Sequence, residues 1–278
     1  MAVLKAKKKI ICGSLRDLGL PQICKARTPV SGLIVRSESP WETYQQDIRL
    51  ELAGPMIVAH RRSRPFKKVA IRELRKNITY EFINRLRFIS HENVLFPREI
   101  YLSGNSTYGL YEIVPFALEQ LVNCPDLYPT EAQLSSIMGQ ILDGIYFLSG
   151  CGLTHRHLSC REVLLGLDGI IKIACLESCM EYPSHQAATQ YVTSLPSIVM
   201  SLMHKTEKHD CRADVGEINR WPADSRAFKF LCAVSSAQNI EFLQSQYLVA
   251  AGTRNLGEVV KLVHKIQSAL YYPLEDFF

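Results

Sequence analysis

No apolar run in this sequence approaches the roughly 20 residues needed to span a bilayer, so no segment reads as a membrane helix. No secretory leader is expected either. The basic start, MAVLKAKKKIICGSL, is followed only by the short Ile10-Ile11-Cys12 patch, where a signal peptide needs a longer apolar region. The chain therefore reads as intracellular, cytoplasmic or nuclear. Nine cysteines are an odd number, scattered without the spacing of a small disulfide scaffold. Free thiols in a reducing compartment are the simplest account. Internal repeats and low-complexity stretches are absent, and no zinc-finger or RNA-recognition word accompanies the net charge of +5. Basic residues do cluster at Lys5 to Lys9 and from Arg61 to Lys76. Such clusters read as solvated faces with weak attraction for acidic partners, and no nucleic-acid partner is expected.

What is present is ordinary globular material: 278 residues, 47% hydrophobic and 21% charged. That length can bury a large core, as one domain or as two lobes of one domain. Residues 1–44 carry weak periodicity and several breakers (Gly13, Gly19, Pro21, Pro29, Gly32) and read as an N-terminal extension. From Ile48 to Val114 the pattern is strand-like, with short β-rich runs at Met56 to Ala59 and Lys68 to Arg72 around a basic turn. Residues 78–90 suit a helix, with Phe82, Leu86 and Ile89 on one face. Further β-type runs follow at Val94 to Leu102 and Tyr108 to Val114.

Beyond residue 115 the character turns helical. Thr130 with Gln133 forms a capping-box pattern, and Leu134, Ile137, Ile141, Ile145 and Leu148 keep helical spacing behind it. Val163 to Leu165 and Ile170 to Ile173 flank an Asp168-Gly169 turn, a hairpin signal. Helices are expected near 192–204, 225–234, 237–248 and 256–270. A β-rich first part, a helical second part and one embedded hairpin predict an α+β domain of two lobes, 45–114 and 115–250, with a helical tail over 251–278.

Certain words fall at certain places in that order. They are Val69-Ala70-Ile71-Arg72, His155-Arg156-His157-Leu158-Ser159-Cys160-Arg161-Glu162 and Cys175-Leu176-Glu177. Together they resemble the V-A-I-K strand, the H-R-D-L-x-x-x-N catalytic loop and the D-F-G of eukaryotic protein kinases. Glu92-Asn93-Val94 after His91 is similar to the segment that follows the αC helix in that family, and Ser194-Leu195 to its buried αF helix. The resemblance covers about residues 45–250 and implies a bilobal protein-kinase-like fold, with a β-rich N-lobe and a mainly α-helical C-lobe.

The chemistry that the family performs is not preserved in the same way. Phosphoryl transfer needs held metal ions, cationic neutralisation and a base that orients the hydroxyl. In the segment Ile48 to Gly54, which resembles the glycine-rich loop, only Gly54 keeps its glycine, and Arg49 and Glu51 stand in the place of others. Arg72 replaces the strand lysine, a fork where a compact ammonium is used. The αC glutamate aligns with Phe82, while Glu81 beside it points about 100° away. His157 replaces the catalytic aspartate, Ser159 the loop lysine, Glu162 the loop asparagine and Tyr191 the αF aspartate. Cys175 replaces the metal-binding aspartate, and magnesium prefers hard oxygen ligands to a thiol.

The resemblance therefore implies a degenerate member, a pseudokinase, with no intact catalytic set at His155, Arg156, His157, Ser159 and Glu162. It implies a protein partner and no metal. No cofactor is expected, though the frame allows ATP to bind without dependence on magnesium, in a pocket of Gly54, Met56, Ala70, Arg72, Leu110, Tyr111, Leu164 and Cys175. Leu86, His155 and Leu176 take the places of an internal column joining the lobes. The alternative is a divergent serine/threonine kinase that retains ATP binding or weak transfer through Arg72, His157 and Glu162. His155, His157, Cys160, Cys175 and Cys179 lie at short separations, but their spacing matches no standard zinc motif.

Overall fold

Alternating apolar positions from Tyr44 to Tyr111 produce the first half of the molecule. In the computed structural model, which describes residues 32–74, 78–182, 184–205, 220–250 and 255–270, these residues form a six-stranded sheet. Its strands are β1 (Ile34–Arg36), β2 (Tyr44–Glu51), β3 (Pro55–Arg61), β4 (Lys68–Leu74), β5 (Glu99–Ser103) and β6 (Ser106–Tyr111), in the order β1-β5-β6-β4-β3-β2. All neighbours are antiparallel except β1, which runs parallel to β5. Strand β1 and the short helix α1 (Pro40–Thr43) carry no period-two signal, so reading the sequence gave no strand before Ile48. The run Val94 to Leu102 divides: only its end is β5, while Val94 makes a single parallel bridge to Ile173.

Helix α2 (Tyr80–Leu86) begins where the Thr79 hydroxyl accepts from the Phe82 amide at 3.2 Å, an N-cap that satisfies one orphan donor. It is shorter than the periodicity over 78–90 suggests, because Arg87 and Phe88 turn out of it.

The second half is built on α4 (Glu131–Gly150), preceded by the strand β7 (Phe116–Ala117) and helix α3 (Leu118–Asn123). The expected capping box is present. The Gln133 amide donates to the Thr130 hydroxyl at 3.2 Å, and the Thr130 amide donates back to the Gln133 side chain at 2.9 Å. Leu134, Ile137, Ile141, Ile145 and Leu148 are fully buried. Around this helix sit β8 (Leu153–His155), the hairpin β9 (Val163–Leu165) and β10 (Ile171–Ile173), β11 (Cys179–Glu181), and helices α5 (Ser184–His204), α6 (Arg226–Ser236), α7 (Ile240–Gln244), α8 (Tyr247–Ala250) and α9 (Leu256–Leu270). The helix expected over 237–248 is broken in two at Ser245 and Gln246. The one expected over 192–204 starts earlier, at Ser184. No helix among the described residues is long and apolar enough to cross a membrane.

The architecture is thus α+β and bilobal. The halves are joined by a buried polar rivet. Asn93 donates to Gln140 Oε1 and to the Ile171 carbonyl, both at 3.0 Å. The same Gln140 oxygen accepts from the Ile171 amide at 2.9 Å, and Gln140 Nε2 donates to the Gly169 carbonyl at 3.0 Å. Gly144 lets this segment lie against α4: a Cβ there would meet the Asn93 carbonyl oxygen at 2.8 Å.

Candidate functional site

The tip of the β2–β3 hairpin is apolar, and apolar tips turn inward. Leu52 and Ala53 are buried beneath the sheet, and Gly54, at φ +99°, takes the conformation that completes so tight a return. Arg49 and Glu51 are not in the turn. They belong to β2, opposite Ile57 and Pro55 and exposed to solvent.

Arg72 lies beneath that tip, on β4, with 6% of its surface exposed. Its Nη2 donates to the Leu52 carbonyl at 2.6 Å and its Nη1 to Cys175 Sγ at 2.9 Å. Glu177 Oε1 stands 3.6 Å from Nη1 and supplies the counter-charge. A buried guanidinium without a carboxylate would carry a large desolvation cost. The carboxylate comes not from α2, where Glu81 is exposed and Phe82 packs on the core, but from two residues after Cys175.

Cys175 follows β10 in the left-handed conformation, φ 58°. Its thiol donates to the Ala53 carbonyl at 3.0 Å, which requires that it hold its proton. Burial pushes the thiol up to about 11, against the smaller downward pull of Arg72. Cys179 is shifted the same way by its own burial. At pH 8 a thiol-disulfide reagent is therefore expected to modify the exposed Cys232 well before Cys175, read by mass spectrometry of the modified peptides. An unfolded thiol ionises near about 8.5. The stability that Cys175 contributes is thus intact below that value and is lost as pH rises through its folded value of about 11.

The loop from His155 to Glu162 is held from behind. The His155 backbone amide donates to the Tyr191 hydroxyl at 2.9 Å, and both side chains are buried. Tyr191, at a position where the resemblance implies an aspartate, anchors this loop from α5 with a neutral oxygen. Arg156 and His157 are exposed. Glu162 turns back on its own loop: one carboxylate oxygen accepts from the Ser159 amide at 3.0 Å and from the Ser159 hydroxyl at 2.7 Å. Arg161 reaches away to Glu119, with Nη2 at 2.9 Å from a carboxylate oxygen. Leu86, His155 and Leu176 are all buried, and Leu86 and Leu176 belong to the main apolar core.

Of the residues assigned to a nucleotide pocket, Met56, Ala70, Tyr111 and Leu164 share one apolar cluster, with Arg72 and Cys175 beside it. Leu110 is not with them. Successive strand residues face opposite ways, and Leu110 joins Tyr44, Val69 and Ile71 on the outer face. Relative exposure is 4% at Met56, 0% at Ala70, 8% at Tyr111 and 0% at Leu164, so these side chains are buried and offer little open surface. A magnesium nucleotide does not fit this donor set. The terminal nitrogens of Arg72 face the hairpin tip, Cys175 and Glu177, the Cys175 thiol is a donor, and the Glu162 carboxylate is engaged by Ser159. No group of three His, Cys, Asp or Glu side chains among the described residues could hold a metal ion, which also bears on the His155, His157, Cys160, Cys175 and Cys179 set.

Leu52, Ala53 and Glu177 are the residues that reading the sequence missed. Glu177 had one available signal: an arginine in an apolar strand with no carboxylate at the expected helical position must find one elsewhere.

Known proteins similar to this chain are protein kinases. Serine/threonine-protein kinase bur1 of Emericella nidulans is 28% identical over 126 residues, 42% of this chain and 22% of that protein. Mitogen-activated protein kinase 13 of Homo sapiens is 23% identical over 165 residues, 57% of this chain and 44% of the kinase. Cyclin-dependent kinase F-3 of Oryza sativa subsp. japonica is 26% identical over 117 residues, 42% of this chain and 27% of the kinase. The chain is protein-kinase-like. No protein-family model matches the sequence. The chain spans less than half the length of these kinase relatives.

Proposed function

We propose that this kinase-like chain is a pseudokinase: a non-catalytic interaction or scaffold domain, with its kinase-like body over 45–250. One observation carries the reading. The cation that would meet a nucleotide's phosphates is occupied in closing the cleft, tying the β2–β3 tip to the segment after β10 through Leu52, Cys175 and Glu177. Weak transfer through Arg72, His157 and Glu162 would require Arg72 to leave three partners and Glu162 to leave Ser159. Those rearrangements remove buried and part-buried hydrogen bonds and an ion pair, and each buried group left unsatisfied costs about 1–3 kcal/mol. The described cysteines are free thiols, which supports an intracellular setting.

The test is nucleotide binding and transfer on the full chain. ATP at millimolar concentration, with or without magnesium, is expected to leave the melting temperature unchanged, because a ligand that does not bind the folded state cannot stabilise it. Radiolabelled phosphate transfer to general substrates should stay at background. Magnesium-dependent turnover that disappears in Arg72→Ala would overturn the reading.

A further inference from the structure

The β3–β4 connection, Arg61-Arg62-Ser63-Arg64-Pro65-Phe66-Lys67-Lys68, holds five cations and no carboxylate. Arg61, Arg62, Arg64 and Lys67 are exposed, and none forms an ion pair with a carboxylate among the described residues. Phe66 protrudes among them with 60% of its surface in water. It is held rather than loose: the Arg64 guanidinium lies 5.9 Å from its ring centre, and the His60 ring stands edge-on at 6.5 Å.

This hairpin borders a groove of about 590 Å³ whose lining includes Tyr44, Val69 and Leu110 of the outer-face cluster. Arg61, Phe66, Lys67 and Lys68 form one wall, and Val69, Leu110 and Ile113 contribute apolar surface. The carboxylates on the opposite wall are already neutralised. Glu99 pairs with Arg36 at 2.7 Å, and Glu112 pairs with Lys172 at 2.9 Å and with Arg98 at 3.1 Å. The lining therefore combines apolar side chains with cations that no carboxylate of the groove is left to neutralise.

The geometry points to this groove as a docking site for an acidic peptide segment of a partner protein, with Asp or Glu side chains set against Arg61 and Lys67 and an apolar side chain set against Phe66 and Ile113. Arginine suits this task because its fork binds carboxylates in a fixed geometry. A bilayer surface is flat; it would touch the hairpin tip and leave the groove unused. A nucleic acid would gain from the cations but not from the apolar side chains. The inference rests on the interaction-module reading above and gives the partner its chemistry.

The experiment uses the full chain and a fluorescent probe peptide of alternating Glu and Asp around a central Leu-Phe pair, followed by anisotropy. Three comparators are titrated alongside: the Gln/Asn version of the peptide, phosphatidylserine-containing vesicles and a single-stranded oligonucleotide. Saturable binding of the acidic peptide is expected. It should weaken at least about tenfold in Arg61→Glu/Lys67→Glu and severalfold in Phe66→Ala, and it should decline as salt shortens the screening length. These residues are exposed, so melting temperatures should hold. If the double variant fails to fold, Phe66→Ala carries the test. Equal binding of the neutral peptide, no effect of the substitutions, or tighter binding of vesicles or oligonucleotide through the same residues overturns the proposal. None of those outcomes touches the pseudokinase reading, which stands or falls on nucleotide binding and transfer.

Discussion

Arg72→Met is expected to lower unfolding stability by about 3–5 kcal/mol, the usual cost of removing one partner of a buried ion pair. The substitution keeps an unbranched apolar stem of similar length, so the loss is not a packing defect. It strands Glu177, whose side chain is 9% exposed, and removes the donors now held by the Leu52 carbonyl and Cys175 Sγ. The companion variant makes the result specific. Arg72→Met/Glu177→Gln leaves no uncompensated charge and should regain a large part of the loss, since replacing both members of a buried pair is commonly close to neutral. Arg72→Lys should fall between, because an ammonium cannot reproduce the fork across three partners. Urea unfolding, with midpoints compared at unchanged slope, measures all three. A single variant within about 1 kcal/mol of the parent, against the 3–5 expected, would mean that Arg72 does not fasten the cleft.

Gln140→Met is the second large effect, expected at about 3 kcal/mol from the buried polar groups it orphans. One amide side chain satisfies three others: it accepts from Asn93 and from the Ile171 backbone and donates to the Gly169 carbonyl. Methionine fills similar volume and offers none of this, so the Ile171 amide and the Gly169 carbonyl are left buried without their partner. Hydrogen exchange localises the defect. Amides of β9, β10 and the segment from His91 to Leu95 should lose protection, while the outer strands β2 and β3 keep theirs. Uniform loss of protection across both lobes would show that Gln140 does not act locally at this junction.

Both predictions fall on residues that pattern reading treats unevenly. Gln140 sits within an apolar helix that periodicity identified well, yet periodicity says nothing about which polar residue on that helix is buried. Asn93 was legible as part of a short word, and its role, bonding to Gln140 and Ile171 across 47 and 78 residues, was not. Cys175 was legible as a thiol where the kinase resemblance implies an aspartate. That it donates to the Ala53 carbonyl follows only from the hairpin tip lying over it.

The sequence by itself determined the two-lobed α+β order, the capped central helix and the embedded hairpin, because capping, turn chemistry and side-chain period are local and survive in one dimension. Tertiary structure alone decided that Arg72 finds its carboxylate in Glu177, that Leu110 faces away from Tyr111's cluster, that Tyr191 holds the loop, and that the Leu52 and Ala53 carbonyls meet Arg72 and Cys175. Each of these depends on which distant segments meet, and burial obliges a charge to find whatever partner the fold brings within reach.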